Sequence, residues 1–75
     1  SYLETLKVYL EENSSLSAAS RRLYLHRSTL VERMERIEKE LAVDLKDPDQ
    51  RLQLQILLKA LELEQKMKAK SRPPA

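Results

Sequence analysis

Between Ser20 and Arg33 the chain carries four arginines, Arg21, Arg22, Arg27 and Arg33, against a single acid, Glu32, with His26 among them. Guanidinium groups donate paired hydrogen bonds to the edge of guanine or to phosphate oxygens, and the hydroxyls of Ser28 and Thr29 can serve either. Such a cluster suits recognition of nucleic acid. Over the whole chain the balance is only +2, from 14 basic and 12 acidic residues, so the distribution carries the signal and the sum does not. The segment from Tyr2 to Asn13 has the opposite sign, with Glu4, Glu11 and Glu12 against Lys7.

Each of these residues also has a plainer reading. Arg21 and Arg22 fit an ordinary solvated helix face. His26 could be a pH-sensitive group or a metal ligand, but one histidine and no cysteine do not make a metal site, so a helix-cap or phosphate contact is expected, with no metal and no cofactor. Glu32 could accept from cytosine N4 or pair with Arg36 four residues on, as Glu35 could with Lys39, and the ion pair is the favoured reading. Ser28 and Thr29 could simply start a helix; Thr29 with Glu32 matches a capping box that would begin it three residues late. Chemistry of the catalytic kind finds little support. No carboxylate pair flanks a plausible cleft, the chain has no glycine with which to build a phosphate-cradling loop, and no nucleophile has a base beside it.

The elements that must position the cluster are all helical, and the expected fold class is all-α with four helices over about 2–12, 16–23, 27–42 and 48–68. Tyr2, Leu3, Leu6, Tyr9 and Leu10 recur at helical spacing, and Asn13, Ser14 and Ser15 end that stretch, with a serine free to cap the next. Ala19 and Ser20 are small enough to let a crossing helix approach closely. Tyr24, Leu25 and His26 form a turn, and Tyr24 occupies the place where a glycine would relieve a left-handed backbone, at a cost of about 1 kcal/mol if φ is positive. Leu30, Met34, Ile37 and Leu41 then make one apolar stripe expected to face the core. Asp47 and Pro48 are a strong start for the last helix, with Gln50 three residues after the cap. That helix has two apolar faces: Leu54, Leu57, Leu58 and Leu61 on one side, Leu52, Ile56 and Leu63 almost opposite. A thin domain buries one of them, so the second is expected to meet a partner subunit or a neighbouring domain, unless the first helix wraps over both.

A chain of 75 residues holds one small domain, read as a helix-turn-helix DNA-binding domain over 1–68 and a flexible basic, proline-bearing tail over 69–75. Domains this size bury only about 60–65% of the surface their unfolded chains expose, which leaves no room for a deep catalytic pocket. No apolar run is long enough to cross a bilayer and no signal-peptide pattern is present, so a soluble, cytoplasmic protein without membrane contact is expected. The first residue is Ser1 and not methionine, which suggests a domain cut from something longer.

The run LSAASRRLYLHRSTLVERMERIEKEL, Leu16 to Leu41, pairs a short alanine-bearing helix with a longer one whose first turn is polar and basic, the sequence form of a helix-turn-helix reader of DNA. Three blocks sharpen this: LSAASRRL at 16–23, HRSTLVERMERIEKEL at 26–41 and DLKDPDQRLQLQILL at 44–58. Together they resemble the C-terminal helix-turn-helix domain of PucR/CdaR-type bacterial transcriptional regulators, whose motif is similar to that of Fis-type DNA-binding proteins. The resemblance covers Leu3 to about Leu61. It implies a sequence-specific domain at the end of a longer regulator, with a ligand-sensing or signalling region ahead of it, and it places the first turn of the reading helix (His26, Arg27, Ser28, Thr29 and Arg33) against base edges in the major groove. Arg21 and Arg22 would hold the backbone. This chain departs from the pattern at Val31 and Glu32, where relatives commonly carry a basic residue.

Two classes of function follow. One is a DNA-binding module acting on double-stranded DNA, expected as a homodimer because one reading helix covers a half-site, or in contact with an N-terminal sensory domain of the parent protein. The other is a helical protein–protein interaction or dimerisation module that works through Leu52, Ile56 and Leu63.

Overall fold

The computed structural model describes residues 2–70, apart from the side chain of Lys70, and the described residues form four helices and no strand. They are α1 (Tyr2–Glu11), α2 (Leu16–Leu23), α3 (Arg27–Leu41) and α4 (Pro48–Lys70). The all-α reading holds. The first and third helices end one residue sooner than their periodicity suggests, and the last continues through Ala69 and Lys70, two residues into the expected tail. The remainder of that tail lies outside the described residues.

In a chain with no glycine, helix ends need left-handed residues of other kinds. After α1, Asn13 and Ser14 take φ of 55° and 64°, and the Ser14 N–H returns to the Tyr9 carbonyl at 3.0 Å. Ser15 then caps α2 by accepting from the Ala18 N–H at 3.1 Å. Tyr24 (φ 56°) closes α2 and Ala42 (φ 53°) closes α3. At the start of α4 the Asp47 carboxylate accepts from the Asp49 N–H at 2.9 Å and from the Gln50 side chain at 3.1 Å, in the way its sequence suggests. These bonds, the one to Gln50 foremost, hold the Asp47 carboxyl below its ordinary pKa.

The core comes from three helices and a loop. Leu6, Val8 and Leu10 of α1, Ala19 of α2, and Leu30, Met34 and Ile37 of α3 are buried together with Leu45. Ala19 and Leu30 are fully inaccessible, which shows how closely α2 and α3 approach where the small residue stands. Two expectations fail here. Leu41 is 50% exposed, because the chain reverses at Ala42 and Leu45 takes the core position that the stripe would assign to Leu41. Leu45 is pinned at both backbone groups: its N–H donates to Glu38 Oε2 at 3.0 Å, and its carbonyl accepts from Arg51 Nη1 at 2.7 Å. Tyr2 and Leu3 are likewise exposed, and α1 instead turns Thr5 and Val8 inward beside Leu6 and Leu10.

The fourth helix packs against α1, and none of its described side chains is fully buried. Only Leu54 and Leu58 of the expected inner face reach the core; Leu57 and Leu61 stay largely exposed beside them. Leu52, Ile56 and Leu63 project into solvent, and α1 does not wrap over them.

Candidate nucleic-acid interface

The turn between α2 and α3 is built by the backbone. Tyr24 adopts the left-handed conformation, its N–H donates to the Arg21 carbonyl at 3.3 Å, and the Leu25 N–H donates to the Ser20 carbonyl at 2.9 Å. This double closure stops α2 within one residue. His26 is then extended (φ −67°, ψ 146°), and its carbonyl accepts the first bond of α3 from the Leu30 N–H at 3.1 Å. Helix α3 therefore starts at Arg27, in the motif register and not at the capping box three residues later. The His26 side chain makes no cap hydrogen bond, and among the described residues no other side chain caps the first-turn N–H groups of α3, which leaves the positive end of the helix dipole open.

The residues singled out by sequence divide into two groups. His26, Arg27 and Ser28 are exposed around the start of α3, Thr29 is half-buried beside them, and Arg21 is exposed at the end of α2. Among the described residues neither Arg21 nor Arg27 forms an ion pair. Arg22 is held elsewhere: its guanidinium bridges Glu11 at 2.8 Å and Glu12 at 3.1 Å, clamping the end of α1 to α2. Those hydrogen bonds, Glu11 first and Glu12 second, raise its pKa above the ordinary value. Arg33 is half-buried and points back toward α1, where Nη1 donates to Thr5 Oγ1 at 3.5 Å. Of four arginines in the basic cluster, two face solvent uncommitted and two brace α1.

Glu32 is exposed and does not pair with Arg36. Arg36 turns the other way along α3, to Glu40 at 3.5 Å and over the ring of Tyr2 at 5.7 Å from its centroid, and the Glu35–Lys39 pair does not form either. The acidic pair at Glu11 and Glu12 is the part that reading residues in isolation misses. Its signal is present as two adjacent acids closing α1, ten residues before Arg22. Among the described residues no three His, Cys, Asp or Glu side chains come together as a metal site, and no helix is long and apolar enough to cross a membrane.

A short helix, a tight turn and a second helix with an open, basic N-terminus, all supported on a third, define a helix-turn-helix domain of the DNA-binding class. The chain belongs to the PucR C-terminal helix-turn-helix domain family, whose family model matches residues 2–60, and it is thereby a DNA-binding domain of transcriptional regulators. It is similar to the Purine catabolism regulatory protein of Bacillus subtilis (strain 168), at 42% identity over 59 residues, which are 79% of this chain and 11% of that protein. The chain thus spans about a tenth of the length of this relative. No solved structure matches it.

Proposed function

We propose that the domain reads a specific duplex sequence by laying the first turn of α3 in the major groove. The observation that carries this reading is the uncapped start of α3, where exposed His26, Arg27 and Ser28 surround free helix N–H groups. Arg27 donates to guanine or to a phosphate, Ser28 and Thr29 bond base edges or backbone, and the open N–H groups favour a phosphate oxygen. Arg21 sits on the flank, where it would hold the backbone. Arg22 and Arg33 serve the interface indirectly, by fixing α2 and α3 against α1, and Glu32 remains an exposed acceptor on the same helix that could meet cytosine N4.

A single reading helix covers one half-site, so the regulator works with its domains in pairs, and the outward face of α4 (Leu52, Ile56 and Leu63) is the surface available for a second copy or for the sensory region of the parent protein. The test is selection of bound duplexes from a random pool by a regulator carrying this domain, followed by titration of the winning sequence. A single enriched motif, salt-steep binding and weakening by Arg27→Ala and Thr29→Ala are expected. Recovery of no motif, or a motif read equally well by the Arg27→Ala protein, would overturn the assignment.

A further inference from the structure

Helix α4 presents an outward stripe with its own register. Ile56, Ala60, Leu63 and Met67 are all exposed, and they follow one another at steps of four, three and four, the alternation of d and a positions in a heptad. Leu54 and Leu58, which do pack on the core, fall on the opposite side of the helix, at b and f. Among the described residues nothing covers the stripe, and its large apolar residues are 50–69% exposed.

The flanking positions indicate what covers it. In this register Leu52 and Lys59 occupy g, and Leu57 and Glu64 occupy e. In a parallel two-stranded coil a g residue faces the e′ residue five positions on in the other helix. That sets Leu52 against Leu57′ and Lys59 against Glu64′, an apolar pair and an ion pair, each occurring twice by symmetry. It also accounts for Leu57, which faces neither the core nor the centre of the stripe and is 53% exposed. Antiparallel pairing would instead align g with g′ and bring Lys59 and Lys66 against the same lysines of the other copy, like charges facing one another.

We propose that α4 pairs in parallel with α4 of a second copy of this chain, with Ile56, Ala60, Leu63 and Met67 as the seam and Lys59–Glu64′ on its flank. The pairing stands on α4 alone, while its use, holding two α3 helices for two half-sites, rests on the DNA-binding reading above. Lys59 now reaches Glu62 at 3.7 Å and Glu64 reaches Lys68 at 3.0 Å, exposed pairs whose rearrangement is cheap. Ala60 lets the helices approach but buries little area. The dimer is thus reversible and concentration-dependent.

The chain has no cysteine, so single cysteines report geometry directly. In a parallel, in-register pair both d layers face themselves, and Ile56→Cys and Leu63→Cys should each yield a disulfide-linked dimer under mild oxidation, while Gln55→Cys, off the seam, should not. An antiparallel pair faces itself in at most one layer. Sedimentation over a concentration series should show self-association of the unmodified chain, weakened roughly fivefold by Lys59→Glu and by Glu64→Lys, and restored in the double swap. Circular dichroism confirms that each variant is folded. Cross-linking at only one d position, failure of the double swap to restore association, or a strict monomer throughout would overturn the proposal. The DNA reading fails separately: Arg27→Ala in the Ile56→Cys background should bind the operator more weakly yet cross-link normally, whereas Leu63→Lys should be monomeric yet keep single half-site binding.

Discussion

Helices α2 and α4 are held in place by opposite means. With eight residues, α2 is too short to be stable alone, yet Ala19 and Ser20 are buried, Ser15 caps its start and a clamp from Arg22 to two glutamates ties it to α1. With 23 residues, α4 is the longest described element, and none of its described side chains is fully buried. Its order comes from strong helix formers, the Asp47–Pro48 start, and exposed ion pairs within one helix, such as Lys66–Glu62 at 3.8 Å. Tertiary packing makes the reading motif, and local propensity makes the helix that displays an apolar face. The first arrangement gives a rigid surface for a fixed ligand. The second leaves a face free to be shared.

Substitution in the two regions should break this contrast first and most strongly at the core. Leu30→Ala removes a side chain with no accessible surface from the α1–α3 centre and should destabilise the domain by about 3 kcal/mol, whereas Leu58→Ala on α4 should cost about 1 kcal/mol. Thermal denaturation followed by circular dichroism compares them, and equal losses would show α4 to be part of the same cooperative core. Next in size is binding. Arg27→Ala should lower affinity for a selected duplex by about 1–3 kcal/mol with no change in melting temperature, as anisotropy titration would measure. Arg21→Ala should reduce the salt slope by about one without changing sequence preference, and Arg22→Ala should act mainly through the α1–α2 clamp, lowering melting temperature more than the slope.

Smaller effects test the helix ends. Ala42 holds φ at 53° without being glycine, so Ala42→Gly should stabilise the domain by about 1 kcal/mol in denaturant titration; a loss would mean that the Ala42 methyl is needed where it stands. Tyr24→Gly should stabilise similarly, and since Tyr24 is 95% exposed beside the reading helix, any fall in DNA affinity in that variant would assign its ring to the interface. The smallest expectation concerns acid. The Asp47 pKa is lowered in the folded state, so its contribution is complete above the ordinary value of 3.8 and is lost as pH falls through the lower, folded value. Helicity measured between about pH 5 and 2 should show α4 fraying at its start, and Asp47→Asn should remove that part of the pH dependence.

Much of this was open to reading in the residues. The start of α4 is legible because a cap, a proline and a glutamine act within one turn, and the start of α2 because Asn13, Ser14 and Ser15 break α1 and supply its cap. The arginines were less legible. Their types announce nucleic acid, but whether a guanidinium is available depends on what lies across the fold, and Glu11 and Glu12 meet Arg22 only once α1 and α2 are packed. Glu32 and Arg36 have the spacing of an ion pair, and the ring of Tyr2, brought from α1, helps draw Arg36 the other way.

Periodicity, caps and charge placement, all short-range properties, were thus enough by themselves to determine four helices, a helix-turn-helix and a basic first turn on α3. Tertiary structure decided the rest. It exchanged Leu41 for Leu45, because a pinned loop can deliver a side chain that a helix running past its neighbours cannot. It drew Arg22 and Arg33 into the scaffold and left Arg21 and Arg27 outside. It also chose which leucines of α4 are covered, since a helix with two apolar faces has no preference of its own until another surface arrives to bury one of them.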